Sequence, residues 1–271
     1  EASWTFAVSL TELTSDHTIL ANRDHLLASD YEPGDLVNIT VKKVSSTPIQ
    51  LRQEASAALE AMFEDSKLVT EYTYKVQKSN GSWSEKTFQS EGGLRLVAKS
   101  GYRSYGKQNT MYKNRLDQIG YDDGYVMVPG GSEHQTGYSI DVLSVEYNAS
   151  NSKMNSSFYQ TPEAQWMEAN CYTYGFIIRY PEADEEITGV PYEPWHLRYV
   201  GREIAGYIKL NDCTLEEFTE RWQSALADFE AAGGDVEQQV LMEATAKPEG
   251  MESTILDLYG EDGDSEVSLT F

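Results

Sequence analysis

The spacing of apolar positions predicts helices and strands before any chemistry is considered. In IQLRQEASAALEAMFEDSKLV, residues 49–69, Leu51, Ala55, Ala58, Leu59 and Met62 recur at helical spacing and predict one buried face. A second amphipathic helix is predicted at TLEEFTERWQSALADFEAAGG, residues 214–234. Thr214 is placed to cap it, Glu217 three residues on completes a capping box, and Gly233-Gly234 ends it. A third helix is expected from Pro162 to Tyr174, with proline in its first turn and Gly175 just past its end.

Strands are predicted at LRLVAKS (94–100), FIIRYP (176–181) and SIDVLSV (139–145), where Ser139 and Asp141 alternate with Tyr138, Ile140 and Val142. RYVGREIAGYIKLN (198–211) begins extended and ends helical, and GYRSYGKQNTMYKNRLD (101–117) is a loop entering a helix. Residues 72–93 are polar and read as a hairpin with its tip at Asn80-Gly81, or as an irregular loop. Residues 22–41 read as loop, and SWTFAVSL (3–10), VLMEATA (240–246) and EVSLTF (266–271) as strands. No internal repeat interrupts this mixture, so an α+β fold is expected.

Composition narrows the range of functions. Of 271 residues, 40% are hydrophobic and 11% aromatic, which supports a packed core instead of a disordered chain. The formal net charge of −23 removes the basic footprint of a nucleic-acid binder and any attraction to an anionic membrane. No run of 18 apolar residues exists, so no bilayer span or membrane insertion is expected. The first residues lack the layout of a signal peptide, and the chain starts without Met; a signal or anchor segment removed from the sequence is the expectation. The two cysteines, Cys171 and Cys213, cannot make a disulfide scaffold or a cysteine-type zinc ribbon. Cys171 reads as a core thiol, with a Cys171–Cys213 disulfide as the alternative. Asn-x-Ser/Thr triplets at Asn38, Asn80, Asn148 and Asn155 are chance matches of a short motif.

Two of the four histidines lie beside carboxylates, in SEHQTGYSID (132–141) and EPWHLRYVG (193–201). His134, Asp141 and His196 would provide the three protein ligands that a catalytic zinc commonly uses, with a fourth position open to water. Glu193, three residues before His196, can stand beside such a metal as a proton acceptor without ligating it. Gly137 permits the turn between His134 and Asp141, and Trp195 and Tyr199 would wall the site with aromatic surface. Spacing alone leaves two ordinary polar loops as the alternative.

These phrases, together with SGYRSYGKQ (100–108), follow the patterns S-x-H-x-x-G-x-[small]-x-D, E-x-x-H with RYVG, and SGYRSY-x-x-Q. In this order they resemble the VanY-type zinc D-alanyl-D-alanine carboxypeptidases of the LAS metallopeptidase group, over roughly residues 20–215. The resemblance implies a small central antiparallel sheet flanked by helices. It also implies one Zn2+ per chain on His134, Asp141 and His196, with Glu193 as base and then acid and Arg103 steadying the oxyanion. Ser132 and Gln108 match positions that hold the substrate. Ser139 stands where the pattern has alanine, and residues 74–93 look like an inserted hairpin or lid. Residues 1–19 then form an extended N-terminal segment, and 216–271 a C-terminal helix and acidic extension.

The function so implied is removal of the terminal D-alanine from peptidoglycan stem peptides in an extracytoplasmic or secreted setting. An L,D-carboxypeptidase with the same mechanism is the first alternative, and a non-catalytic zinc-containing wall-binding module the second. A monomer is expected.

Overall fold

The computed structural model describes residues 8–151 and 153–237. Its centre is a four-stranded antiparallel sheet ordered β5-β6-β8-β7, built from Leu96–Ser100 (β5), Ser139–Ser144 (β6), His196–Tyr199 (β8) and Phe176–Ile178 (β7). Two small ribbons flank it: Leu36–Asn38 (β1) with Gln50–Arg52 (β2), and Glu71–Gln77 (β3) with Trp83–Gln89 (β4). The longer helices are Gln53–Ser66 (α2), Tyr105–Ile119 (α3), Pro162–Asn170 (α5), Arg202–Leu210 (α7) and Leu215–Ala231 (α8). Leu10–Leu13 (α1), Val145–Ser150 (α4) and Glu185–Thr188 (α6) are single turns or little more. The α+β expectation holds, with the small antiparallel sheet at its heart.

The core forms where the predicted apolar faces meet. Ala55, Leu59 and Met62 of α2 are fully buried with Leu96, Ile140, Val142 and Leu197 of the sheet. A second cluster joins α1, α7 and α8 through Leu13, Ile204, Ile208, Leu215 and Phe218. The Thr214–Glu217 capping box is formed as expected.

Several boundaries move, each for a tertiary reason. Residues 50–52 are a strand paired with β1, and the helix starts at Gln53, so Leu51 is a buried strand residue. The helix from Pro162 stops at Asn170 and tightens into a 3-10 turn over Cys171–Tyr174 before left-handed Gly175. Cys171 is buried in the main core and Cys213 in the second cluster, and both thiols are free, which removes the disulfide alternative. The hairpin reading of 72–93 holds, with Asn80-Gly81 in the turn. Strands proposed at 240–246 and 266–271 lie outside the described residues, as does most of the one at 3–10.

The expectation of an extended segment before residue 20 fails over its described part. Leu10 and Leu13 dock on α7 and α8, and a 3-10 turn at Asp16–Thr18 buries His17. The His17 ring lies 2.7 Å from Glu12 and 2.5 Å from Glu54. Gly201, with φ +82°, makes room: a Cβ there would come within 3.2 Å of the His17 ring. Burial works against the imidazolium, but Glu12 and Glu54 outweigh it and raise the His17 pKa to about 9. Because this lies above the unfolded value of 6.5, the stabilisation is complete below the unfolded pKa and is lost as pH rises through about 9. His17→Gln is expected to lower stability at pH 6 and to flatten its decline between pH 6.5 and 9, measured by urea unfolding across that range.

Candidate active site

Strand register assembles the site. In the β6·β8 ladder Asp141 pairs with His196 and Ser139 with Arg198, while Ile140 pairs with Leu197 between them. Side chains alternate across a strand, so Ser139, Asp141, His196 and Arg198 share one face and the apolar pair turns to the core. A one-residue slip of either strand would send its share of these polar side chains into the core and its apolar residue to the polar side.

His134 arrives from the 3-10 turn Glu133–Thr136, which ends at Gly137 with φ +74°. A Cβ on Gly137 would meet Arg52, Leu36 and Pro33 at 2.9–3.3 Å, so conformation and crowding both select glycine there. His134 Nδ1–H donates to the Gly101 carbonyl at 2.8 Å, which leaves Nε2 as the free lone pair, 3.6 Å from Asp141 Oδ2. His196 Nδ1 faces Asp141 Oδ1 at 3.1 Å. One side-chain donor atom from each of His134, Asp141 and His196 lies within 4.8 Å of the others, so the three could hold a metal ion, and all three residues are buried.

Glu193 comes from the turn before β8, where its carbonyl accepts from His196 N–H at 3.1 Å. Its Oε2 stands 3.8 Å from His196 Nδ1. Burial raises the Glu193 pKa to about 7, with Asp141 and Glu133 adding to the effect and His196 and Arg103 opposing it. A base poised near neutrality suits proton transfer at neutral pH. Burial and then the Arg103 charge push His134 down to about 3, whereas Asp141 and Glu133 overcome burial and lift His196 to about 9. The same surroundings hold Asp141 below the usual carboxylate range despite its burial.

The SGYRSYGKQ segment supplies several contacts to the site. Gly101 orients His134, Ser104 caps α3, and Arg103 N–H donates to the His134 carbonyl at 3.0 Å. The Arg103 guanidinium is aimed by Gln108 Oε1 at 2.9 Å and Ser100 Oγ at 3.2 Å. Gln108 lines the cleft, but its oxygen serves Arg103 and its amide donates to the Met127 carbonyl at 2.5 Å, so its visible work is to position the guanidinium. Ser132 also lines the cleft, and its hydroxyl has no protein partner among the described residues.

The cleft, about 260 Å3, is lined by Arg103, Ser132, His134, Asp141, Glu193 and His196, with Trp195 among its apolar walls. Tyr199 is not in it. It sits on the core side of β8 with Leu197, stacked on Tyr138 at 5.8 Å and edge-on to Phe176 at 5.3 Å, because strand alternation turns it away from His196. Met127, Met154, Tyr180 and Val190 supply apolar wall that no motif marked.

The family model for VanY, D-alanyl-D-alanine carboxypeptidase, matches residues 85–202. A putative carboxypeptidase of Bacillus subtilis, YodJ, is 38% identical over 207 residues, 74% of this chain. The chain spans 66% of that relative's length. The solved LdcB LD-carboxypeptidase is 34% identical, with 80% of this chain and 98% of that one covered at a TM-score of 0.64. The chain belongs to the VanY D-alanyl-D-alanine carboxypeptidase family. A mutant of the vancomycin-resistance D,D-pentapeptidase VanY, solved in complex with Zn(II), is 26% identical over 75% of this chain and 99% of that one, at a TM-score of 0.52.

The donor set of this VanY-family chain fits a divalent ion by its own chemistry: two imidazole nitrogens and one carboxylate converge, and the His134 tautomer is already set. His196 Nε2 is buried without a hydrogen-bond partner and points toward Glu133 Oε2, 3.7 Å away. Glu133 is the group sequence reasoning missed. Its side chain is fully buried, its Oε1 accepts from Arg179 at 2.7 Å and Arg198 at 2.8 Å, and Ser139 Oγ donates to its Oε2 at 3.3 Å. Ser139, unlike the alanine of the family pattern, thus has a partner for its hydroxyl. Burial opposes the Glu133 charge, but the two guanidinium groups hold its pKa far below the carboxylate range.

Glu133→Gln would leave Arg179 and Arg198 buried against a neutral amide. Losing one partner of a buried ion pair costs about 3–5 kcal/mol, so the metal-free variant is expected to unfold at markedly lower denaturant, read by circular dichroism. An unchanged midpoint would contradict the network's structural weight.

Proposed function

We propose that this protein is a metal-dependent D,D-carboxypeptidase that removes the terminal D-alanine from peptidoglycan stem peptides outside the cytoplasm, with one Zn2+ per chain on His134, Asp141 and His196. The observation that carries the reading is that Glu193, Arg103 and the three ligand side chains converge in one buried cleft. A module that only bound the wall would have no use for a buried base together with a cleft-facing guanidinium.

When bound, the ion would polarise the scissile carbonyl and acidify the attacking water. Glu193 takes the proton of that water and delivers it to the departing amine of D-alanine. Arg103, held by Gln108 and Ser100, presents its charge to the oxyanion of the tetrahedral intermediate; burial lowers its pKa, while Asp141 and Glu193 favour its charged form. The Ser132 hydroxyl is free to bond the substrate's terminal carboxylate or nearby amide. Trp195 and Tyr180 restrict water around the reacting groups.

The likeness to LdcB favours a second reading, the same chemistry on the L,D-bond of a tetrapeptide stem. Incubation with pentapeptide and tetrapeptide muropeptides, followed by mass spectrometry, separates the two: the D,D reading expects loss of one alanine from the pentapeptide only. Glu193→Ala is expected to keep one zinc per chain by metal analysis while kcat falls by about 10²–10⁴-fold. Normal turnover by that variant would sink the mechanism, and activity surviving complete removal of the metal by a chelator would sink the metal assignment.

A further inference from the structure

A second cavity, about 530 Å3, lies beside the catalytic cleft. Three chain segments link the two: Met154, Tyr180 and Glu193 line the cleft, and Tyr159, Glu182 and Tyr192 from the same segments line the second cavity. Tyr192 and Glu193 are consecutive, so the base and one wall of the neighbouring cavity are about 3.8 Å apart along the backbone.

The β3–β4 hairpin forms the far wall, through Lys75 and Trp83. It is not a lid over the catalytic cleft. Gln165 of α5 clamps it, accepting from Lys75 N–H at 2.8 Å and donating to the Lys75 carbonyl at 2.6 Å, and no hairpin residue lines the catalytic cleft.

The lining has a definite chemistry. Trp83 and Tyr192 flank Tyr159 edge-on, at 6.3 and 6.0 Å between ring centroids, and Trp83 is 50% exposed. Three carboxylates, Glu85, Glu168 and Glu182, share the cavity with one ammonium, Lys75, a balance of minus two. None of these four side chains has an ion-pair partner within 4.0 Å among the described residues; burial raises the pKa of Glu168, and the charge of Lys209 opposes that rise without a direct pair. Glu168 and Glu182 act on the rings themselves: after burial, their charges are what raise the pKa values of Tyr159 and Tyr192. Aromatic faces and unpaired carboxylates together suit an ammonium group on an apolar stem, with the stem against the rings and the head among the acids.

We propose that this cavity is a subsite for a primary ammonium on the substrate, the side-chain amine of the diamino acid that precedes the D-alanines of the stem peptide. The inference rests on the carboxypeptidase reading. An extended peptide advances about 3.3–3.6 Å per residue, so a long side chain one residue before an L,D-bond, or two before a D,D-bond, reaches from the cleft into its neighbour. A glycan strand would also lie against exposed rings, but it gives unpaired carboxylates no counter-charge.

The test compares Nα-acetyl-L-lysyl-D-alanyl-D-alanine with its Nα,Nε-diacetyl analogue, by calorimetry on the zinc-loaded Glu193→Ala protein and by turnover on wild type. The free amine is expected to bind about tenfold more tightly, near 1.4 kcal/mol. Glu168→Gln should erase that preference with affinity for the diacetyl peptide unchanged, Trp83→Ala should weaken binding of the free-amine peptide, and Lys75→Gln should enlarge the preference. Equal affinity for the two peptides, a preference that survives Glu168→Gln, or binding of neither peptide overturns the subsite. Absence of wild-type turnover alongside an amine preference in binding would instead overturn the carboxypeptidase reading and leave the subsite standing.

Discussion

A single buried carboxylate organises this molecule. Glu133 holds Arg179, at the end of β7, and Arg198, within β8; Arg179 extends the network to Glu216 in α8 at 2.5 and 2.8 Å. Arg198 also donates to the carbonyls of His17 and Ile19 in the N-terminal segment. Two acids and two guanidinium groups make a neutral set, which is what allows so many charges to be buried at all. The set, whose Glu133 directly precedes His134, joins the sheet, the first turn of α8 and the N-terminal part of the described chain.

The face that carries the candidate site is the continuation of that set. Moving along β6 and β8, the Ser139–Arg198 pair belongs to the ion network and the Asp141–His196 pair to the candidate metal-binding cluster, two residues further on the same face. His196 stands between the two, with Asp141 on one ring nitrogen and Glu133 toward the other. The orientation of the ring thus depends on two carboxylates, one of them held by the buried ion network, so a rigid scaffold fixes the candidate site to a narrow geometry. Arg103 is treated in the same way, through Gln108 and the Met127 carbonyl.

The additions to the sheet have structural work of their own. The hairpin β3–β4 is tied to α5 and builds a second cavity next to the first. Helix α8 contributes Glu216 to the central network and Phe218 to the second core cluster. Both would be marked as appendages from their position in the chain, yet both meet residues close to the site.

The sequence by itself determined the type of the long helices and of the central strands, and it marked the candidate residues of the site. Helical spacing in α2 and α8, the Thr214 capping box and the alternation in β6 are local patterns; spacing marked His134, Asp141, Glu193 and His196 as a candidate group, and the family resemblance added Arg103. Tertiary structure decided what local patterns cannot encode. Strand pairing took Leu51 out of the helix, strand alternation turned Tyr199 to the core, and Gln108 was engaged by Arg103. Glu133 was hidden inside its own motif, since an acid in a chain of 44 acids carries no mark until Arg179 and Arg198, 46 and 65 residues away, close around it. The physical reason is the same in each case: periodicity records which face a residue takes, but partners distant in the chain decide what that face meets.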